Sequence, residues 1–162
     1  GAMLCTGEIH DRIAAGTGFF QHGHTYLGHP VATAAGLAVV QEMLEQDLPG
    51  QVKTKGAAFE ARLRSSFGQH AHVGDIRGRG LFWGIELVAD RETKSPFDPS
   101  LGLAKKLKAH AFDEGLICYP MAGTRDGKHG DHVLLAPPFI MTEAQMDEVT
   151  DKLGRALERS LS

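Results

Sequence analysis

The stretch Gly80-Leu81-Phe82-Trp83-Gly84-Ile85-Glu86-Leu87-Val88 decides the fold class. Leu81, Trp83, Ile85 and Leu87 alternate with Phe82, Gly84, Glu86 and Val88. Successive side chains of a strand point to opposite faces, so this period of two predicts a half-buried strand. Downstream, residues 89–99 read as a polar loop. Residues 100–114 read as a helix with Leu103, Leu107 and Ala111 inward and Lys105, Lys106 and Lys108 outward. Gly115 stands where a helix commonly ends in a left-handed residue. A short strand over 116–119, a glycine-rich loop over 120–131 and a strand over 132–136 follow, closed by Pro137-Pro138. Two strands joined by a loop alone suit an antiparallel pair, whereas the strand–helix–strand part leaves a parallel pairing open. Thr142-Glu143-Ala144-Gln145 has the form of a capping box, opening a last amphipathic helix through Met146, Val149, Leu153 and Leu157. The expectation is an α+β fold, a small mixed or antiparallel sheet covered by helices on one face.

Upstream, a helix over 51–67 carries the stripe Val52, Phe59, Leu63 and Phe67 and a basic outer face, so it is expected on the surface of the domain. Before it, Pro30 sits where a first helical residue is favoured. Residues 31–46 have a wide apolar arc (Ala32, Ala35, Val39 and Met43, flanked by Ala34, Leu37, Ala38 and Leu44), which predicts burial on more than one side. Residues 4–29 hold five glycines and, apart from a short helix over 8–15, read as loop. So long an irregular entry is usually functional or belongs to a larger context. Two regions are therefore expected: 1–70 as the end of a larger domain, and 71–162 as a complete small one.

Composition narrows the classes. The 162 residues carry 17 Lys+Arg against 20 Asp+Glu, without the basic excess of a nucleic-acid binder. No apolar run reaches the roughly 18 residues of a membrane span. Gly1-Ala2-Met3 reads as a cloning remnant, and Cys5 and Cys118 as isolated thiols of a reducing cytoplasm.

His22, His24 and His29 cluster in one loop and His129 and His132 in another, at spacings that match no standard zinc set, so no metal site is expected. No Gly-x-Ser-x-Gly elbow is present, and Cys118 lies in an apolar strand where thiols are usually inert. Asp75 and Glu86 are either an acid pair or, more simply, partners of Arg77 or Arg79. Arg77-Gly78-Arg79-Gly80 reads as a basic turn, either binding a carboxylate or phosphate through guanidinium forks or merely solvated. One stretch combines more: Gly23-His24-Thr25-Tyr26-Leu27-Gly28-His29-Pro30 offers small residues, a hydroxyl and a following helix N-terminus. Hydroxyl, free N–H groups and the positive end of a helix together suit a phosphate, though an ordinary loop has the same composition.

His22-Gly23-His24-Thr25-Tyr26-Leu27-Gly28-His29-Pro30 before an Ala-rich helix closely resembles the class III (omega) aminotransferases, PLP-dependent enzymes of fold type I. So do Asp75-Ile76-Arg77-Gly78-Arg79-Gly80-Leu81, Gly115-Leu116-Ile117-Cys118-Tyr119-Pro120 and Gly130-Asp131-His132-Val133-Leu134-Leu135-Ala136-Pro137-Pro138, in the family's order. The resemblance implies a homo-oligomer in which Thr25, beside His24, contacts the pyridoxal 5'-phosphate of a neighbouring protomer. It further implies amine or amino-acid and 2-oxo-acid substrates, and a small C-terminal domain that closes over them. Some members carry an Arg for a substrate carboxylate where this chain has Tyr119. Arg125 and Lys128 in the next loop are then substitutes or solvated charges, which leaves Tyr119 and Arg125 as the substrate-binding candidates. The family's Schiff-base Lys lies upstream of the matched motifs, so no catalytic residue is expected here. The chain reads as the C-terminal portion of such an enzyme, inactive alone. The alternative is a non-catalytic oligomerisation or binding module of the same descent.

Overall fold

The computed structural model describes residues 1–162, which divide into two compact units, Gly1–Gln46 and Asp47–Ser162. The first holds α1 (Gly7–Ala15) and α2 (Pro30–Glu45). Thr6 caps α1 by accepting from the Ile9 N–H. Helix α2 starts and ends close to where the pattern places it, but its burial differs from expectation. None of its residues is buried, and Leu37 and Leu44 stand 60% and 73% exposed. A wide apolar arc states only that a helix needs cover, and within its own unit α2 has none.

The second unit is α+β. Its sheet comprises β1 (Val73–Arg79), β2 (Phe82–Leu87), β3 (Tyr119–Ala122) and β4 (Asp131–Leu135), in the order β1-β2-β4-β3 and antiparallel throughout. Three helices, α3 (Leu48–Phe67), α4 (Leu103–Asp113) and α5 (Glu143–Leu161), cover one face. Period two holds as far as Leu87: Trp83, Ile85 and Leu87 are buried with Val133, Leu135 and Ile76 in one core with Phe59, Leu63, Leu107, Met146 and Leu153 of the helices. Val88, placed on the outward set by the pattern, lies past the strand end and is buried too. The capping box of α5 is complete: the Gln145 N–H donates to the Thr142 hydroxyl and Thr142 N–H to the Gln145 side chain.

Three boundaries move. The Arg77–Gly80 segment, expected as a turn, is mostly strand. β1 runs through Arg79, and the reversal falls at Gly80, whose φ of +59° a side chain would resist. The strand expected over 116–119 instead begins at Tyr119. Leu116 N–H still bonds the Ala111 carbonyl as part of the α4 terminus, while Gly115 takes the left-handed φ of +75°. The helix expected from 100 opens as a 3-10 turn, Pro99–Leu101, and restarts after Gly102 at φ +62°.

Gly56 fixes how α3 meets the β1–β2 turn. A Cβ there would lie 2.6 Å from the Gly80 carbonyl oxygen, which already accepts the Trp83 indole N–H at 2.7 Å. Helix propensity alone favours Ala over Gly by about 1 kcal/mol. Overpacking against fixed backbone costs about 1–3 kcal/mol and wins. Gly56→Ala is expected to lower stability by a net 1 kcal/mol or so, read as a drop in urea midpoint at constant slope. A rise would show that helix and hairpin separate freely.

Candidate functional site

The His24–Pro30 segment folds as a turn in the first unit. Leu27 N–H donates to the His24 carbonyl and His29 N–H to that of Tyr26, each at 3.1 Å, and Gly28 takes φ +70°. The Tyr26 and His29 rings sit with centroids 5.7 Å apart. His24 and Thr25 are exposed, and the loop's own hydrogen bonds leave the Thr25 hydroxyl unused. Helix α2 begins directly after this turn. Its N-cap His29 makes no side-chain cap, and its first turn holds no acid. The amides of Val31 and Ala32 therefore face outward without a side-chain acceptor. A free hydroxyl, uncapped amides and the positive helix end form a donor set that fits the phosphate of PLP.

The second unit presents the uncovered face of its sheet. Cross-strand register puts Asp75, Glu86, His132 and Met121 in one row, and Arg77, Gly84, Leu134 and Tyr119 in the next. The acid pair is resolved by Arg77, whose Nη1 donates to Asp75 Oδ2 at 2.7 Å and to Glu86 Oε2 at 3.1 Å. Arg77 holds the Asp75 carboxyl below its usual range through that bond. Burial, followed by the charge of Arg77, lowers the His132 pKa, so the ring is neutral at pH 7.

Tyr119 and Arg125 are exposed, but the structure gives them different settings. Tyr119 lies on the edge strand; Arg125 lines a cleft of about 170 Å³ with Arg77, Glu86, Lys94, Thr124 and His132. Of these, Lys94 and Thr124 have no counterpart among the sequence-derived candidates, and His132 was read only as one of a histidine pair. Lys94 carries a signal that sequence does not print, a left-handed backbone with φ +54° in a residue other than glycine. His129 is tied by its ring Nδ1 to Asp126 at 2.7 Å, and no group of three or more His, Cys, Asp or Glu takes up metal-binding positions. Burial pushes the Cys118 thiol up to about 11, which removes it as a nucleophile.

Comparison with known proteins follows the same pattern. The family described as aminotransferase class-III matches residues 1–157. An aminotransferase of Gibberella zeae is 40% identical over 161 residues, covering 99% of this chain and 32% of its own length. Among solved structures, an (S)-enantioselective omega-transaminase from Thermomicrobium roseum superposes with a TM-score of 0.79 at 29% identity, over 97% of this chain and 33% of the other. A PLP-bound aminotransferase mutant from Vibrio fluvialis gives 0.76 at 36% identity, over 93% and 31%. This chain thus spans about a third of the length of the relatives it matches. Agreement of motif order, fold and near-complete coverage leads to one conclusion: the chain belongs to the class-III aminotransferases.

Proposed function

We propose that this chain is the C-terminal part of a PLP-dependent enzyme that moves an amino group from an amine or amino acid to a 2-oxo acid. PLP, when bound, supplies the electron sink for that exchange. The chain's own contribution is binding and orientation. Thr25, with His24 beside it, donates toward the phosphate across a homodimer contact, and the start of α2 adds its amides. Tyr119 and Arg125 meet the substrate from the small domain, which residues 71–162 supply, while residues 1–70 belong to the end of the large one. Free Cys5 and Cys118 suit a cytoplasmic setting. The observation that carries this reading is the unused hydroxyl of Thr25 at the mouth of an uncapped helix.

The lysine that would hold PLP is, on this reading, supplied by another part of the enzyme. All eight lysines here are exposed or only partly buried, and Lys152 and Lys55 are tied to Glu148 and to the Phe139 carbonyl. A lysine that holds PLP needs a desolvated setting, which supports placing it elsewhere in the enzyme. Incubation with PLP, borohydride reduction and peptide mapping is expected to show scattered, substoichiometric labelling and no transamination. One lysine labelled mole for mole would overturn the assignment. A second reading, a non-catalytic oligomerisation module, draws on the exposed apolar residues of α2.

A further inference from the structure

The cleft at the end of the uncovered sheet face has an unusual balance of committed and free charge. Arg77 is spent on Asp75 and Glu86, and the three together leave one negative charge. Lys94 and Arg125, exposed and each from a different loop, line the same space with no ion pair of their own. The neutral His132 ring and the Thr124 hydroxyl complete the lining as hydrogen-bond donors. Over Asp75, Arg77, Glu86, Lys94 and Arg125 the sum is one surplus positive charge. At about 170 Å³ the cleft is smaller than the roughly 300 Å³ at which ordinary small-molecule pockets begin. Only a compact group fits.

Lys94 supplies an independent pointer. It follows a turn in which Asp90 Oδ1 accepts from both the Thr93 N–H and hydroxyl at 2.7 Å, and it takes the left-handed conformation that glycine or asparagine would adopt more easily. A lysine at a backbone position that disfavours it points to a use for its side chain. Lys94 lines the same cleft as Arg125, close enough to Asp75 for its charge to favour that carboxylate.

We propose that this cleft is a carboxylate subsite in which the Arg125 guanidinium and the Lys94 ammonium bind one carboxylate of a small organic acid. Arg125 offers a planar fork matched to two carboxylate oxygens, and Lys94 a point charge opposite it. His132 and Thr124 donate to the remaining lone pairs. Arg77 holds the sheet face in register and does not itself take the ligand. The inference extends the reading of Arg125 given above, and it adds Lys94, His132 and Thr124 as residues that set acid preference.

The test uses the full chain without cofactor or turnover, so its failure leaves the aminotransferase assignment standing. Propionate is titrated against the ¹⁵N-labelled protein, with propionamide and sodium chloride at matched ionic strength as controls and inorganic phosphate as competitor. The expected result is saturable shifts at Lys94, Thr124, Arg125 and His132 with propionate alone. Lys94→Asn and Arg125→Gln should each weaken binding at least five-fold, and Lys105→Gln should leave it unchanged. Lys94→Asn should also raise the melting temperature, since asparagine accepts the left-handed backbone. Equal shifts with chloride or propionamide, unchanged affinity in the Lys94 variant, or phosphate binding ten-fold tighter than propionate would each overturn the proposal.

Discussion

Phe59→Ala is expected to remove about 3–5 kcal/mol of stability, whereas Leu37→Ala in the preceding helix should change it by no more than about 0.5 kcal/mol. Both are large apolar residues on helices whose patterns predict burial. Phe59 is fully enclosed, at 0% exposure, in the core that α3 shares with the sheet and with α4 and α5. Truncation there leaves a cavity that neighbours on three elements cannot all relax into, so the cavity adds to the lost transfer energy. Leu37 is 60% exposed, and its truncation gives up little contact. Urea unfolding checks both, with fluorescence of the single, buried Trp83 reporting the sheet unit and far-UV circular dichroism reporting α2 as well. The experiment belongs at dilute concentration, where no second copy can cover α2. A loss above 2 kcal/mol for the Leu37 variant would show that the helix is packed after all.

The same contrast explains which parts of the fold were legible. β2 and β4 could be read because alternation and burial share one cause, a sheet with one face against helices. The capping box at Thr142 and the glycine stop at Gly115 could be read because each is a local hydrogen-bond solution. β1 was obscured by Gly78 and Arg79, whose chemistry suggests a turn. Its strand character comes from cross-strand pairing with Trp83 and Phe82, which no local pattern contains. Tyr119 and Arg125 were visible as residue types in a telling place. The Lys94 conformation, the Arg77 bridge and the cleft they border depend on three segments meeting, two of them loops. Such geometry exists only after folding.

Thr25 carries the second large effect. A hydroxyl donating to a charged phosphate is worth about 1.5–3 kcal/mol, so its loss should weaken cofactor retention by about 10- to 150-fold. The helix end alone cannot replace it, because uncapped amides at α2 remain in either variant. The direct measurement is made in a chimera, with residues 1–157 of this chain replacing the matching third of the Gibberella zeae aminotransferase. PLP dissociation is followed by fluorescence for Thr25, Thr25→Ser and Thr25→Ala forms. Tight retention is expected with Thr25, near-equal retention with serine, and at least ten-fold faster loss with alanine. Equal retention by all three forms would contradict it.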